Sequence, residues 1–261
     1  MKISSVQNEN IKRVAGLRES KGRRAFSEFA VEGLREIRRA WEARWELLEV
    51  FVCSELLDDE GEKLLAALEA ASPKRFEVSH PCFAKIAMRQ DSGGLVAVFR
   101  FAERNLSRVK VPEVPFLLLL EGIEKPGNVG ALIRSADGAG VDAILTMDCQ
   151  ADIFHPHVIR TSLGCCFSMP VVAGTREEML AFCRRHKVTI YAALLSEDAV
   201  PFTDVSFDKR RALLLGSEDR GLSEFWRKNS DAKITIPMRG HADSLNVAAA
   251  GAVLLYASTT V

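Results

Sequence analysis

The sequence lacks most of the features that mark secreted, membrane-spanning or metal-binding proteins. Its 261 residues include six cysteines, none in a C-x-x-C pair, so we expect neither a disulfide framework nor a metal site. The longest apolar runs, such as Phe116 to Leu120, are far too short to cross a bilayer. No apolar segment of the signal-peptide kind follows Met1 and Lys2. We therefore expect a reduced, cytoplasmic enzyme or binding protein that makes no membrane contact.

An excess of charge of one sign is also missing. The formal net charge is zero, with 35 basic and 35 acidic side chains, so bulk charge neither favours nor excludes an anionic partner. The first 40 residues differ, because they hold ten basic and five acidic side chains. A solvated helix face has the same balance, and charge alone favours that simpler interpretation.

The chain does have enough apolar sequence, 48% of its residues, to build a sizeable core. Residues 1–102 alternate short strand and helix patterns and predict a small α/β domain. A polar stretch that ends in prolines, residues 103–114, predicts a linker. Residues 115–261 contain longer, almost purely apolar strands between helices, which predicts a parallel sheet with helices on both faces.

Three short polar segments of the C-terminal region each follow an apolar strand and each open a helix. They span residues 128–134, 216–221 and 244–248. Ligands of open α/β sheets bind beyond the carboxyl ends of the strands, where such loops collect. The three segments therefore predict a single composite site.

The first segment carries the residue types of a phosphate-binding helix start. Asn128 is predicted to N-cap a helix that begins at Val129. Arg134 lies one turn beyond Gly130, on the same face, where a glycine lets a ligand approach closely. The alternative interpretation is a cap, a packing glycine and a surface arginine.

The second and third segments are less specific alone. Glu218 lies in a loop between two glycines and can accept hydrogen bonds from hydroxyls or amines, although a plain strand–helix turn is the simpler interpretation. The chain has neither the G-x-G-x-x-G of a dinucleotide-binding oxidoreductase nor the G-K-[ST] of a P-loop. Ser244 is the predicted N-cap of an alanine-rich helix over residues 247–258.

Taken together, the segments resemble the signature motifs of the SpoU/TrmH branch of the SPOUT methyltransferases. Motif one, N-x-G-x-x-x-R, is matched by Asn128, Gly130 and Arg134. Motif two, G-x-E-x-x-G, is matched by Gly216, Glu218 and Gly221. Motif three, I-P-M-x-G followed by S-L-N-V, is matched by residues 236–240 and 244–247. In the N-terminal region, Arg24 with residues 29–33 resembles the R…F-x-V-E-G pattern of the substrate-binding domain often fused to this family.

The resemblance implies an α/β domain with a deep trefoil knot that binds S-adenosylmethionine, dimerises through the C-terminal domain and methylates a ribose 2′-hydroxyl in structured RNA. The N-terminal domain favours rRNA. The alternatives are a tRNA 2′-O-ribose methyltransferase and a non-catalytic RNA-binding assembly factor of the same fold. By resemblance, the catalytic residues are Asn128, Arg134, Glu218, Ser244 and Asn246. The cofactor-binding residues are Gly216, Ile236 and Leu245.

The basic N-terminal segment supplies the candidate contacts to RNA phosphates. These candidates are Lys12, Arg13, Arg18, Arg23 and Arg24. No RNP-type aromatic motif accompanies them, so we expect recognition of folded RNA by shape rather than by base stacking.

Overall fold

The computed structural model of the protein describes residues 2–89, 92–102, 104–149 and 152–259. The strands, numbered along the chain, are β1 (Lys2–Ile3), β2 (Glu28–Glu32), β3 (Leu47–Val52), β4 (Lys74–Val78), β5 (Leu95–Arg100), β6 (Phe116–Glu121), β7 (Ala143–Met147), β8 (Val171–Ala173), β9 (Thr189–Ala193), β10 (Val200–Pro201), β11 (Arg211–Leu215) and β12 (Ala232–Thr235). The helices are α1 (Glu9–Gly16), α2 (Ser20–Phe26), α3 (Leu34–Glu42), α4 (Asp59–Glu69), α5 (His80–Ile86), α6 (Pro126–Gly138), α7 (Pro156–Thr161), α8 (Cys165–Ser168), α9 (Arg176–Arg185), α10 (Glu224–Asn229) and α11 (Val247–Ala257).

These elements form two compact units. The N-terminal unit contains Met1–Glu103 together with Phe154–Ser168, and the C-terminal unit contains Arg104–Ile153 and Met169–Val261. The chain therefore leaves the C-terminal unit after β7 and returns to it before β8. Within the described residues, no helix is both long and apolar enough to cross a bilayer.

The N-terminal unit is built on a five-stranded mixed sheet in the order β1-β4-β3-β5-β2. Strand β5 runs antiparallel to β2 and β3, and the other pairs are parallel. Helix α1 buries Ile11 and Val14, followed by Leu17, the apolar face that the three-residue spacing predicts.

The segment Phe154–Ser168 completes the aromatic core of the N-terminal unit. The ring of Phe29 lies 4.5 Å from that of Phe154 and 5.7 Å from that of Phe167, centroid to centroid. Trp45 donates from Nε1 to the carbonyl of Phe167 at 3.2 Å. The sequence patterns indicated neither this segment's two short helices nor its packing, because its partners Phe29 and Trp45 are more than 100 residues away along the chain.

The C-terminal unit contains a seven-stranded sheet in the order β10-β12-β9-β11-β6-β7-β8, and every neighbouring pair is parallel. Its central strands are fully buried, as the apolar runs predict. Helices α6 and α11 pack together so closely that a Cβ at Gly251 would collide with the side chain of Leu132. The predicted parallel sheet is confirmed, whereas the trefoil knot stays a prediction.

Two helix starts differ from the sequence prediction. Helix α6 begins at Pro126, three residues earlier than expected, because proline is well suited to the first helical position; Asn128 therefore lies inside the first turn and does not cap it. Helix α11 is capped by Asn246, whose side chain accepts a hydrogen bond from the Ala248 nitrogen at 3.0 Å, and not by Ser244.

Candidate active site

The three polar segments meet at one edge of the C-terminal sheet. They follow strands β6, β11 and β12, which run parallel to one another within the sheet, so their carboxyl ends lie on the same side. Strands β6 and β11 are direct neighbours, and the loops after them are joined by side-chain hydrogen bonds. The predicted composite site is therefore present in the fold.

Glu218 is the residue that connects the three loops. Its Oε2 accepts a hydrogen bond from Lys125 Nζ at 2.8 Å. Its Oε1 accepts from Asn128 Nδ2 at 3.1 Å and from Asn246 Nδ2 at 2.5 Å. Because an ionised carboxylate only accepts hydrogen bonds, one side chain holds one lysine and two amides together. We call these four residues the Glu218 network.

The charges of this network support each other. The hydrogen bond from Lys125, together with its positive charge and the amide of Asn128, holds the pKa of Glu218 below its usual value despite partial desolvation. The same hydrogen bond and the charge of Glu218 raise the pKa of Lys125. Glu218 is therefore an ionised acceptor at neutral pH, because both shifts favour the charged forms.

The carboxylate also fixes which way the two amides point. Both turn their NH2 groups toward Glu218, and Asn246 uses its Oδ1 to cap α11. The Oδ1 of Asn128 receives only a long contact of 3.4 Å from Asn246 Nδ2. It is therefore the acceptor of the network with the most capacity left for a ligand hydroxyl.

A cleft of about 370 Å³ lies beside the Glu218 network, within the size range of small-molecule sites. Its lining includes Leu194, Leu195, Leu215, Gly216, Ser217, Glu218, Ile234, Ile236, Met238, Ser244, Leu245 and Val247. A Cβ at Gly216 would come within 2.6 Å of the Leu222 nitrogen, so only glycine fits where the loop folds back on itself. Apolar side chains and loop backbone together suit a ligand with a flat ring and polar edges, as S-adenosylmethionine has.

A smaller polar cavity of about 130 Å³ opens next to the cleft. Lys125, Asn128 and residues 122–124 line it. It shares residues 217–220 and Val247 with the larger cleft. Glu218 thus lines both a cofactor-sized space and a polar space.

Two predicted catalytic residues are placed differently from the others. Ser244 is exposed and lines the cleft. Arg134 is exposed on α6 and lines neither the cleft nor the polar cavity. Within the described part of the chain, it makes no hydrogen bond or ion pair to the Glu218 network. The predicted cofactor residues Gly216, Ile236 and Leu245 all line the cleft.

The candidate RNA contacts of the N-terminal unit divide into exposed and engaged side chains. Arg23 is a correction, because it is only 2% exposed and donates to the carbonyls of Leu17 and Arg18. Its guanidinium ties α2 to the end of α1 instead of facing solvent. Lys12 and Arg24 are exposed.

The two remaining arginines of that set are also used within the N-terminal unit. Arg13 forms ion pairs with Glu28 and Glu49. Arg18 donates to the carbonyls of Lys85 and Ala87 at 2.9 and 2.7 Å. Since both are partly exposed, they remain candidates, with part of their hydrogen-bonding capacity already taken.

Sequence reasoning missed two residues that shape the site. Lys125 lies in the loop before Asn128, but its contact with Glu218 spans 93 residues. Glu121, at the end of β6, is buried and accepts from the nitrogen and hydroxyl of Ser223, both at 2.7 Å. It also accepts from Arg176 Nε at 2.5 Å. A single acidic residue at the end of an apolar strand does not indicate which residues it will contact, so the sequence predicted neither Ser223 nor Arg176 as a partner of Glu121.

A parallel sheet whose strand-end loops join a carboxylate and two amides beside a cofactor-sized cleft has the architecture of an α/β enzyme. The sequence profile of the SpoU rRNA Methylase family matches residues 115–256, more than half of the chain. That of the MRM3-like substrate binding domain matches residues 8–97. The protein belongs to the SpoU rRNA methylase family.

Known proteins resemble the chain over almost its whole length. The 23S rRNA (guanosine(2553)-2′-O)-methyltransferase RlmP of Bacillus subtilis is 27% identical over 254 residues, which cover 97% of each chain. A crystal structure of an RNA 2′-O ribose methyltransferase has a TM-score of 0.87 and 36% identity, over 99% of this chain and 98% of that one. An rRNA methyltransferase from Sinorhizobium meliloti, crystallised with bound AdoMet, has a TM-score of 0.89 and 25% identity, over 99% and 97%.

Proposed function

We propose that the protein transfers a methyl group from S-adenosylmethionine to a ribose 2′-hydroxyl of 23S rRNA. The observation that carries this proposal is the Glu218 network: Glu218 lines both the cleft and the polar cavity and orients the amides of Asn128 and Asn246 by hydrogen bonds. The family membership supports the reaction, and the name of the Bacillus subtilis relative supports the choice of RNA. A cytoplasmic location accords with that substrate.

In this proposal the cleft holds the cofactor and the polar cavity receives the acceptor ribose. Gly216, Ile236 and Leu245 contact the cofactor through backbone and apolar atoms. When bound, the cofactor supplies an electrophilic methyl group on a sulfonium, so the protein needs no metal to activate a leaving group. Asn128 Oδ1 accepts a hydrogen bond from the ribose hydroxyl and holds it in line, and Ser244 faces the reaction from the cofactor cleft. Positioning of this kind supplies a large part of the acceleration in bimolecular group transfer.

Arg134 binds the target phosphate and ribose in this proposal. A guanidinium is a very weak base at its ordinary pKa, so binding and orientation come first and proton removal is secondary. We expect Arg134→Ala to reduce methyl transfer at least about 100-fold while cofactor binding stays unchanged. Single-turnover kinetics together with calorimetric titration of S-adenosylmethionine check this. Equal rates for the two proteins would remove Arg134 from the catalytic residues.

We also propose a homodimer formed through the C-terminal unit. Two observations support it: Arg134 lies outside both cavities of its own chain, and α11 exposes Val253 and Tyr256 (39% and 54%). Sedimentation velocity tests the dimer. Co-expression of Arg134→Ala chains with Glu218→Gln chains tests whether the two residues act from different copies, because mixed dimers would then regain one intact site.

The N-terminal unit binds the RNA in this proposal, with Lys12 and Arg24 as exposed phosphate contacts. Replacing both by alanine weakens RNA binding and lowers its salt dependence, since each phosphate contact contributes close to one unit to the slope of log K against log salt. A filter-binding salt titration measures that slope. An unchanged slope would assign RNA binding to other side chains.

The reaction itself is tested by incubating the protein with labelled S-adenosylmethionine and total rRNA or tRNA from cells that lack its gene. We expect label in 23S rRNA, at one nucleotide whose 3′ linkage resists alkaline cleavage. Label only in tRNA, or label at a position that alkali still cleaves, contradicts the proposal.

A further inference from the structure

Lys125 makes the contact in the active site that the family motifs do not explain. It precedes Pro126 at the N-cap position of α6, where its side chain caps nothing. Its ammonium instead reaches across to the next loop and meets Glu218 Oε2 at 2.8 Å. The lysine side chain is 74% exposed, whereas that of Glu218 is 27% exposed. The lysine therefore covers the carboxylate from the solvent side.

The two oxygens of Glu218 have separate tasks. Oε1 takes both amide donors, from Asn128 and Asn246, and Oε2 takes the ammonium alone. Among described residues, no other cation forms an ion pair with Glu218. Two further carboxylates, Asp219 and Glu124, lie near the lysine and favour its charged form. Arg220 lines the same cavity, but its side chain makes no ion pair with Glu218 in the described structure.

We infer that Lys125 is a positioning residue of the methyl-transfer site, which acts through Glu218 to hold the amides of Asn128 and Asn246 in their reactive orientation. The inference rests on the proposed function for its kinetic effect. The physical reason is that an ionised carboxylate is the stronger acceptor for both amides. Lys125 holds Glu218 in one rotamer through the ion pair and favours its charged form, so Asn128 keeps its Oδ1 available at the polar cavity that it lines.

The first experiment measures the single-turnover rate of methyl transfer for Lys125→Met, Lys125→Arg and the matched control Lys228→Met. Lys228 forms an exposed pair with Glu224 on α10 and is 72% exposed, so it matches Lys125 in charge and exposure. We expect Lys125→Met to slow the reaction about tenfold, because methionine removes the charged hydrogen bond to Glu218, a kind that is about twice as strong as a neutral one. Lys125→Arg keeps a charged donor and recovers most of the rate. Lys228→Met behaves as wild type.

A double-mutant cycle with Glu218→Gln tests whether Lys125 acts through the carboxylate. If it does, Lys125→Met changes the rate by less than about twofold once Glu218 is already glutamine. The acid limb of the pH–rate profile of the single Lys125→Met variant also moves to higher pH. The sign follows because Lys125 lowers the pKa of Glu218, and losing it returns that pKa toward its usual value.

Side-chain amide NMR of Asn128 and Asn246 tests the network without RNA. Their NH2 signals titrate with Glu218, and we expect the midpoint to rise in Lys125→Met but not in Lys228→Met. An unchanged midpoint overturns the inference. A higher KM for RNA at constant kcat also overturns the inference, because that result would make Lys125 a phosphate ligand. A shifted midpoint in a protein that methylates no rRNA supports the positioning role and contradicts only the proposed function.

Discussion

At the carboxyl end of the C-terminal sheet, the carboxylates of Glu121 and Glu218 have the same kinds of partner but different surroundings. Glu121 is buried, with 5% of its side chain exposed, and binds Arg176 and both polar groups of Ser223. Glu218 is 27% exposed and binds Lys125 with two amides. Each has one cation and hydrogen-bond donors from a distant loop.

The two carboxylates differ in whether their partners line a cavity and keep a hydrogen-bond acceptor that a ligand can use. The partners of Glu121 have no access to either cavity, so its network joins the end of β6 to the starts of α9 and α10. Its hydrogen bond also raises the pKa of Arg176. Two partners of Glu218, Lys125 and Asn128, line the polar cavity, and the Oδ1 of Asn128 receives only one long contact. Burial therefore makes one carboxylate a structural connection, and exposure lets the other orient a ligand.

The largest expected effect is that of Glu121→Ala on folding. Removing one member of a buried charged network leaves the others unpaired and costs about 3 kcal/mol of unfolding free energy. Urea denaturation measures it. The control Glu224→Ala breaks an exposed pair and changes stability by less than about 0.5 kcal/mol. A loss below about 1 kcal/mol for Glu121→Ala would show that the two carboxylates do not differ as described.

Glu218→Gln is expected to slow methyl transfer strongly and to change stability only slightly, whereas Glu121→Ala mainly reduces stability. A glutamine replaces one of the two acceptor oxygens by an NH2 group, which cannot accept from the donors of the network, so we expect methyl transfer to fall about 100-fold, equivalent to about 2.7 kcal/mol in the barrier. Unfolding free energy changes by less than about 1 kcal/mol, because water replaces the lost partner. Single-turnover rates and urea curves of the same preparation test both halves. A large stability loss with a normal rate would reverse the comparison.

Gly251→Ala disturbs the amides while leaving both carboxylates intact. The added methyl meets the side chains of Leu132 and Leu215, so these side chains must shift or α11 must move away from α6. Overpacking of this kind costs about 2 kcal/mol, and we expect a rate loss as well, because Asn128 and Asn246 belong to those two helices. Calorimetry and kinetics measure the two effects. Ala249→Gly, at an exposed position two residues away, is the control for helix propensity.

The smallest effect concerns pH. The folded-state pKa of Glu218 lies below its usual value, so its stabilising contribution is complete above the ordinary glutamate range and disappears as pH falls through the lowered pKa. The stability difference between wild type and Glu218→Gln is therefore constant from pH 7 to 5 and shrinks only at lower pH. Urea curves across this range test it; a difference that shrinks between pH 7 and 5 would contradict the lowered pKa.

The sequence allowed prediction of the residues whose position follows from strand order. Asn128, Glu218 and Asn246 each follow an apolar strand, and parallel strands bring such loops together. Lys125 and Glu121 were missed because their partners are 93 and up to 102 residues away, and no local pattern encodes those contacts. The cap of α11 was predicted wrongly for a different reason. Serine and asparagine are equally good caps, so the sequence alone does not distinguish Ser244 from Asn246.

The segment Phe154–Ser168 has a practical consequence for experiments on RNA choice. It is encoded between β7 and β8, yet its rings cover Phe29 and Trp45. A fragment cut near residue 103 would present that aromatic surface to water and aggregate. Grafting the N-terminal unit onto a relative therefore requires transferring two separate stretches of sequence, because the folded unit is built from two separate segments of the chain.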